Sequence, residues 1–84
     1  MNVDQLKAFH RVAATGSFTK AARELFLTQS AVSQQISSLE NTFKSLLIER
    51  SRKQFRLTRE GQVLYDYSKQ IIQTYSRLTA SCRS

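Results

Sequence analysis

The chain has 84 residues, 40% of them hydrophobic and 23% charged, and its 13 Lys/Arg against 6 Asp/Glu give a net charge of +7. That length suits one small domain with a modest core, so part of its apolar surface is expected to need a partner. The amino terminus has no signal-peptide core and no uncharged stretch approaches bilayer length, which predicts a cytoplasmic protein without a membrane partner; one cysteine, Cys82, and one histidine, His10, exclude a disulfide framework or a zinc cluster within one chain.

Proline is absent and the glycines are Gly16 and Gly61, so elements must be read from hydrophobic period. Leu6, Phe9 and Ala13 recur at helical spacing behind Asn2, and the pattern stops at Gly16, a residue suited to a left-handed helix end, predicting a first helix over about residues 3–14. Ser17 and Thr19 are alternative caps for a short second helix with Ala21, Ala22, Leu25 and Phe26 as its apolar residues. Thr28 can cap a third helix, about 29–43, whose stripe of Val32, Ile36, Leu39 and Phe43 should face the core. Between Leu46 and Thr58 the apolar residues Leu47, Ile48, Phe55 and Leu57 flank basic ones, which suggests a short hairpin. A long helix then runs from about Arg59 to Ser81, with Leu64, Ile71 and Leu78 repeating every seven residues and Tyr67 and Thr74 between them.

The link around residues 27–29 has helix-turn-helix spacing, a pattern shared by many helical hairpins that merely pack together. The polar face of the third helix separates the two readings. Gln29, Ser30, Ser33, Gln34 and Ser37 share one side opposite the apolar stripe, and none is charged. Amides and hydroxyls can donate to and accept from base edges and phosphates, and a face without acids can approach DNA; the alternative is an ordinary solvated Ser/Gln face. Arg50, Arg52, Lys53, Arg56 and Arg59 follow without an acid among them, as a projecting wing needs for phosphate contact, or as a solvated charged turn would also have. Catalysis finds no support: no carboxylates obviously converge and no phosphate-cradling glycine loop is present.

Together the runs Leu6-Lys7-Ala8-Phe9, Gly16-Ser17-Phe18, Ala21-Ala22, Leu25, Thr28-Gln29-Ser30-Ala31-Val32-Ser33-Gln34-Gln35-Ile36, Leu39-Glu40 and Leu57-Thr58-Arg59-Glu60-Gly61 resemble the amino-terminal domain of LysR-type transcriptional regulators. The resemblance covers nearly the whole chain. It implies that Gln29, Ser30, Ser33 and Gln34 meet DNA, with Arg50, Arg52 and Lys53 near the backbone or minor groove. The chain departs from that family's pattern at Gln34, where arginine is common, and at Lys44, Leu46 and Ile48, where Gly, Pro and Phe are usual. A left-handed non-glycine residue costs on the order of 1 kcal/mol, so Lys44 either bears that strain or the turn takes another geometry, and the aim of the hairpin shifts with it.

The expected fold is mainly α: a winged helix-turn-helix over residues 1–58 with a short β-hairpin wing, then a long linker and dimerisation helix over 59–84. The expected function is sequence-specific binding of double-stranded DNA bearing two half-sites, with no enzymatic activity and no cofactor. Thr28, Gln29, Ser30, Ser33, Gln34, Ser37, Arg50, Arg52 and Lys53 are the DNA-binding candidates; Leu64, Tyr67, Ile71, Tyr75 and Leu78 are the homodimer candidates. The resemblance also implies an effector-binding domain that this sequence does not contain. The competing reading is a basic helical dimer that binds another protein through its long helix and touches nucleic acid only non-specifically.

Overall fold

The structure, a computed structural model, describes residues 1–49 and 54–82. Its helices are α1 (Val3–Thr15), α2 (Phe18–Leu25), α3 (Gln29–Phe43) and α4 (Arg59–Cys82). Each start is fixed by a local side chain. Asn2 and Gln5 form a reciprocal capping box on α1, Ser17 accepts from the Lys20 N–H on α2, and Thr28 accepts from the Ala31 N–H on α3. Thr19, the other expected cap, lies inside α2. Thr58 serves α4: its hydroxyl accepts from Gly61 N–H at 3.0 Å and donates to the Leu46 carbonyl at 2.6 Å, tying the helix start to the incoming chain.

Gly16 ends α1 at φ 68°, as its lack of a Cβ allows. The next two helix ends adopt the same left-handed conformation without glycine. Phe26 (φ 58°) ends α2 with Leu27 N–H bonded to the Ala22 carbonyl, and Lys44 (φ 53°) ends α3 with Ser45 N–H bonded to the Glu40 carbonyl. Both are Schellman closures, in which saturating the last carbonyls offsets the steric cost of the Cβ. Lys44 therefore bears the left-handed turn itself, in the place where the family usually has glycine.

Packing centres on α1, which touches α2, α3 and α4. Leu6, Phe9 and Val12 meet Ala21, Ala22, Val32, Ile36, Leu39, Leu47 and Ile48 in one buried cluster. Phe43 of the stripe expected to face the core lies outside it, as does Phe26, one of the apolar residues of the expected second helix. Phe43 is 45% exposed because the α3 stripe runs past the end of the core, and Phe26 is 94% exposed because the left-handed turn swings it off the α2 face.

The expected β-hairpin is reduced, among the described residues, to one antiparallel bridge between Ile48 and Leu57. Glu49 N–H donates to the Arg56 carbonyl at 2.9 Å and Thr58 N–H to the Leu47 carbonyl at 3.0 Å. Among the described residues the pairing goes no further past Thr58, because the next residue, Arg59, already belongs to α4. No described helix is long and apolar enough to cross a membrane.

Candidate nucleic-acid interface

The uncharged character of α3 extends beyond the face expected to read DNA. Its one charged residue, Glu40, is only 8% exposed, so the helix offers solvent nothing but amides, hydroxyls and apolar groups. Gln29, Ser30 and Gln34 are exposed and Ser33 half-buried within the first six residues of a helix that begins at residue 29, and Ser37 is exposed on the same side near its middle. Amide N–H groups of the first turn and the positive end of the helix dipole lie at the same end, where an anionic phosphate is favoured. Thr28 is exposed but its hydroxyl is engaged as the cap, and Gln29 donates from Nε2 to Thr19 Oγ1 at 2.7 Å, which ties the helix start to α2. Gln34 has its side chain in solvent one turn further on. Arg50, Arg52 and Lys53 lie outside the described residues; the neighbouring Arg56 and Arg59 are exposed.

Three features escaped the reading of the sequence. The Glu40 carboxylate accepts from Leu47 N–H at 2.8 Å and Ile48 N–H at 3.4 Å, holding the segment that leads toward residues 50–53 against the end of α3. A signal existed: an acid in the last turn of a helix sits against the negative end of the dipole, which calls for a compensating partner. Gly61 lies against the Leu47 backbone, where an added Cβ would overlap it. Finally, His10 of α1 stacks on Tyr65 of α4 (centroids 5.2 Å apart, planes at 25°), and its Nδ1 lies 3.1 Å from Ser68 Oγ. Burial of the ring, reinforced by the nearby Arg11 and Lys69 charges, holds the His10 imidazole below its ordinary value of 6.5.

On α4 the sequence-predicted dimer residues divide. Leu64 is half-buried against the core, whereas Tyr67, Ile71, Tyr75 and Leu78 are exposed, Leu78 by 61%. Two shallow apolar depressions lie along this side. One is bordered by Phe43, Leu47, Val63, Leu64 and Tyr67, the other by Ile71, Thr74, Tyr75 and Leu78. Lys7 Nζ sits 5.7 Å from the centre of the Tyr75 ring.

A sequence profile described as bacterial regulatory helix-turn-helix protein, lysR family, matches residues 3–62. This chain belongs to the LysR family. Among its curated LysR-family relatives, the HTH-type transcriptional activator CmpR of Synechocystis sp. is 45% identical over 74 residues, covering 88% of this chain and 24% of that protein. The HTH-type transcriptional regulator CysL of Bacillus subtilis is 40% identical over 80 residues, covering 95% of this chain and 27% of that protein. This chain thus spans about a quarter of the length of such relatives. A solved complex of the BenM DNA-binding domain with catB site 1 DNA is 30% identical, with a TM-score of 0.92, covering 99% of this chain and 92% of that one. The helix-turn-helix of α2 and α3 is therefore the fold of LysR-family DNA-binding domains.

Proposed function

We propose that this chain is the sequence-specific DNA-binding module of a cytoplasmic transcription regulator, acting as a homodimer on duplex DNA with two half-sites. The observation that carries the reading is α3: in a helix-turn-helix, its exposed surface is free of charge, while the whole chain carries +7. Gln29, Ser30, Ser33 and Gln34 read base edges in the major groove, with Thr28 and Ser37 at the margins of the contact. Arg50, Arg52 and Lys53 contact phosphate or the minor groove as the basic residues of the wing. Gln34 in place of an arginine favours adenine, or a water-mediated contact, over a bidentate grip on guanine.

Residues 1–58 carry the reading surface and 59–84 the linker helix, whose exposed Tyr67, Ile71, Tyr75 and Leu78 meet a second copy, with Leu64 at the inner edge of that seam. The two-fold symmetry of such a pair requires two half-sites. Relatives named as transcription regulators and a DNA complex of the same fold support the assignment to regulation rather than catalysis.

Selection of sites from random duplex DNA, followed by competition of the recovered site against unrelated duplex, tests this. The expected result is a recovered two-fold site that outcompetes unrelated DNA by about a thousandfold or more at physiological salt. Equal competition by both duplexes would leave only a basic dimer with non-specific affinity.

A further inference from the structure

We infer that His10 and Ser68 form a positioning contact that sets the angle of α4 on the DNA-reading core, and through it the separation of half-sites that the dimer accepts. The inference rests on the dimeric reading above.

Ser68 is completely buried at the α1–α4 junction. Its Oγ donates to the Tyr65 carbonyl at 2.8 Å, which uses its one hydrogen. The 3.1 Å contact with His10 Nδ1 is then made by Nδ1–H donating to a Ser68 Oγ lone pair, which places the proton of the neutral imidazole on Nδ1. Tyr65, whose carbonyl receives the serine, also stacks on the same imidazole, and Lys69 Nζ lies 5.0 Å from the centre of the tyrosine ring. One histidine of α1 is thus held at its edge and on its face by two residues of α4.

Apolar packing between the same helices, by Leu64 and Tyr65 against the core, resists separation but is non-directional and permits sliding and tilting. A hydrogen bond is directional, and tilting α4 would break this one, costing His10 Nδ1 its partner while Ser68 keeps its bond to Tyr65. Because α1 packs on both α3 and α4, the angle fixed at His10 is carried directly to the recognition helix. The leverage is sufficient. A tilt of about 5° over a lever of roughly 20 Å displaces a recognition helix by about 2 Å; two-fold pairing doubles this to roughly 4 Å, comparable with the ~3.4 Å rise of one base pair.

The test uses the site recovered from random duplex, rebuilt with one base pair inserted or deleted between its halves, and an isolated half-site as control. Ser68→Ala removes the acceptor; His10→Phe keeps an aromatic ring but removes the donor. Each is expected to lower the discrimination between the optimal and altered separations by at least about twofold, the lower end of what one hydrogen bond contributes, with half-site affinity and dimerisation unchanged. Their effects should not add in the double variant, because both remove one interaction. His10→Asn, whose Nδ2 stands where Nδ1 does, should retain most of the discrimination, and circular dichroism confirms that each variant is folded. A wild-type chain indifferent to separation would overturn the dimeric reading and this inference together. Wild-type discrimination that persists in Ser68→Ala and His10→Phe, or that is lost additively, would overturn the positioning contact alone.

Discussion

Gly61 and the carbonyl of Leu47 are in direct apposition: a Cβ on Gly61 would overlap the Leu47 oxygen and lie 2.9 Å from its carbonyl carbon. The obstruction is backbone, already bonded to Thr58 N–H, so it cannot rotate away as a side-chain tip could. Gly61→Ala gains about 1 kcal/mol of helix propensity, but separating α4 from this segment costs more. A net destabilisation of about 2 kcal/mol or more is expected, read as a lower urea midpoint; an unchanged or higher midpoint would show that the helix start can shift freely.

Lys44 gives the opposite expectation. Its side chain is exposed and its φ of 53° carries the steric cost of a left-handed Cβ. Lys44→Gly should stabilise the fold by roughly 0.5–1 kcal/mol, the relief of strain exceeding the entropy that glycine adds to the unfolded chain. Equilibrium denaturation measures it, and a decrease in stability would mean that the Lys44 side chain makes a compensating contact.

Gln34 and the wing should separate by what each recognises. Gln34→Ala is expected to weaken binding to the selected site by about 1–3 kcal/mol while leaving unrelated DNA nearly unaffected. Replacing Arg52 and Lys53 together should weaken binding to all duplexes and flatten the salt dependence by up to about one unit of slope for each phosphate that is no longer neutralised. Equal weakening on both DNAs for Gln34→Ala argues against base reading; an unaltered slope for the double variant removes those residues from the phosphate backbone.

Ile71 and Leu78 stand exposed on the part of α4 that extends away from the core. A helix of 24 residues spans about 36 Å, within a molecule whose overall extents are 47 × 25 × 19 Å, so the apolar side of its outer half lies beyond the reach of the core. Replacing both with Lys should give a folded monomer with much weaker binding to a two-half-site duplex, since the second half would no longer be engaged intramolecularly. Sedimentation equilibrium at tens of micromolar decides: a monomeric wild type or a dimeric variant rules out this helix as the interface.

His10 makes stability depend on pH. Its value lies below 6.5 in the folded chain, chiefly through burial, so the unfolded chain binds the proton more readily. The contribution is complete above the ordinary imidazole value and is lost as the pH falls from there through the folded value, beneath which both states are protonated and no further loss accrues. Urea midpoints at about pH 7.5 and 5.5 should differ more for the wild type than for His10→Asn. Equal differences would assign the pH dependence to other groups.

The helix boundaries were legible because their causes are local. Asn2, Ser17 and Thr28 each satisfy a backbone N–H three residues onward, and Gly16 takes the conformation its missing Cβ permits. The uncharged face of α3 could likewise be read from spacing alone, since helical geometry fixes which side chains share a side. Tertiary structure decided what those faces meet. Periodicity put Phe43 with Val32, Ile36 and Leu39, and Leu64 with Ile71 and Leu78, but the core ends before Phe43 and still reaches Leu64. The Glu40 carboxylate on Leu47 and Ile48, Gly61 against Leu47, and His10 on Ser68 were likewise invisible in the sequence. A helical repeat specifies the direction of an apolar side chain and carries no record of where the neighbouring element stops, and these pairings exist only once separate helices have docked at one distance and angle.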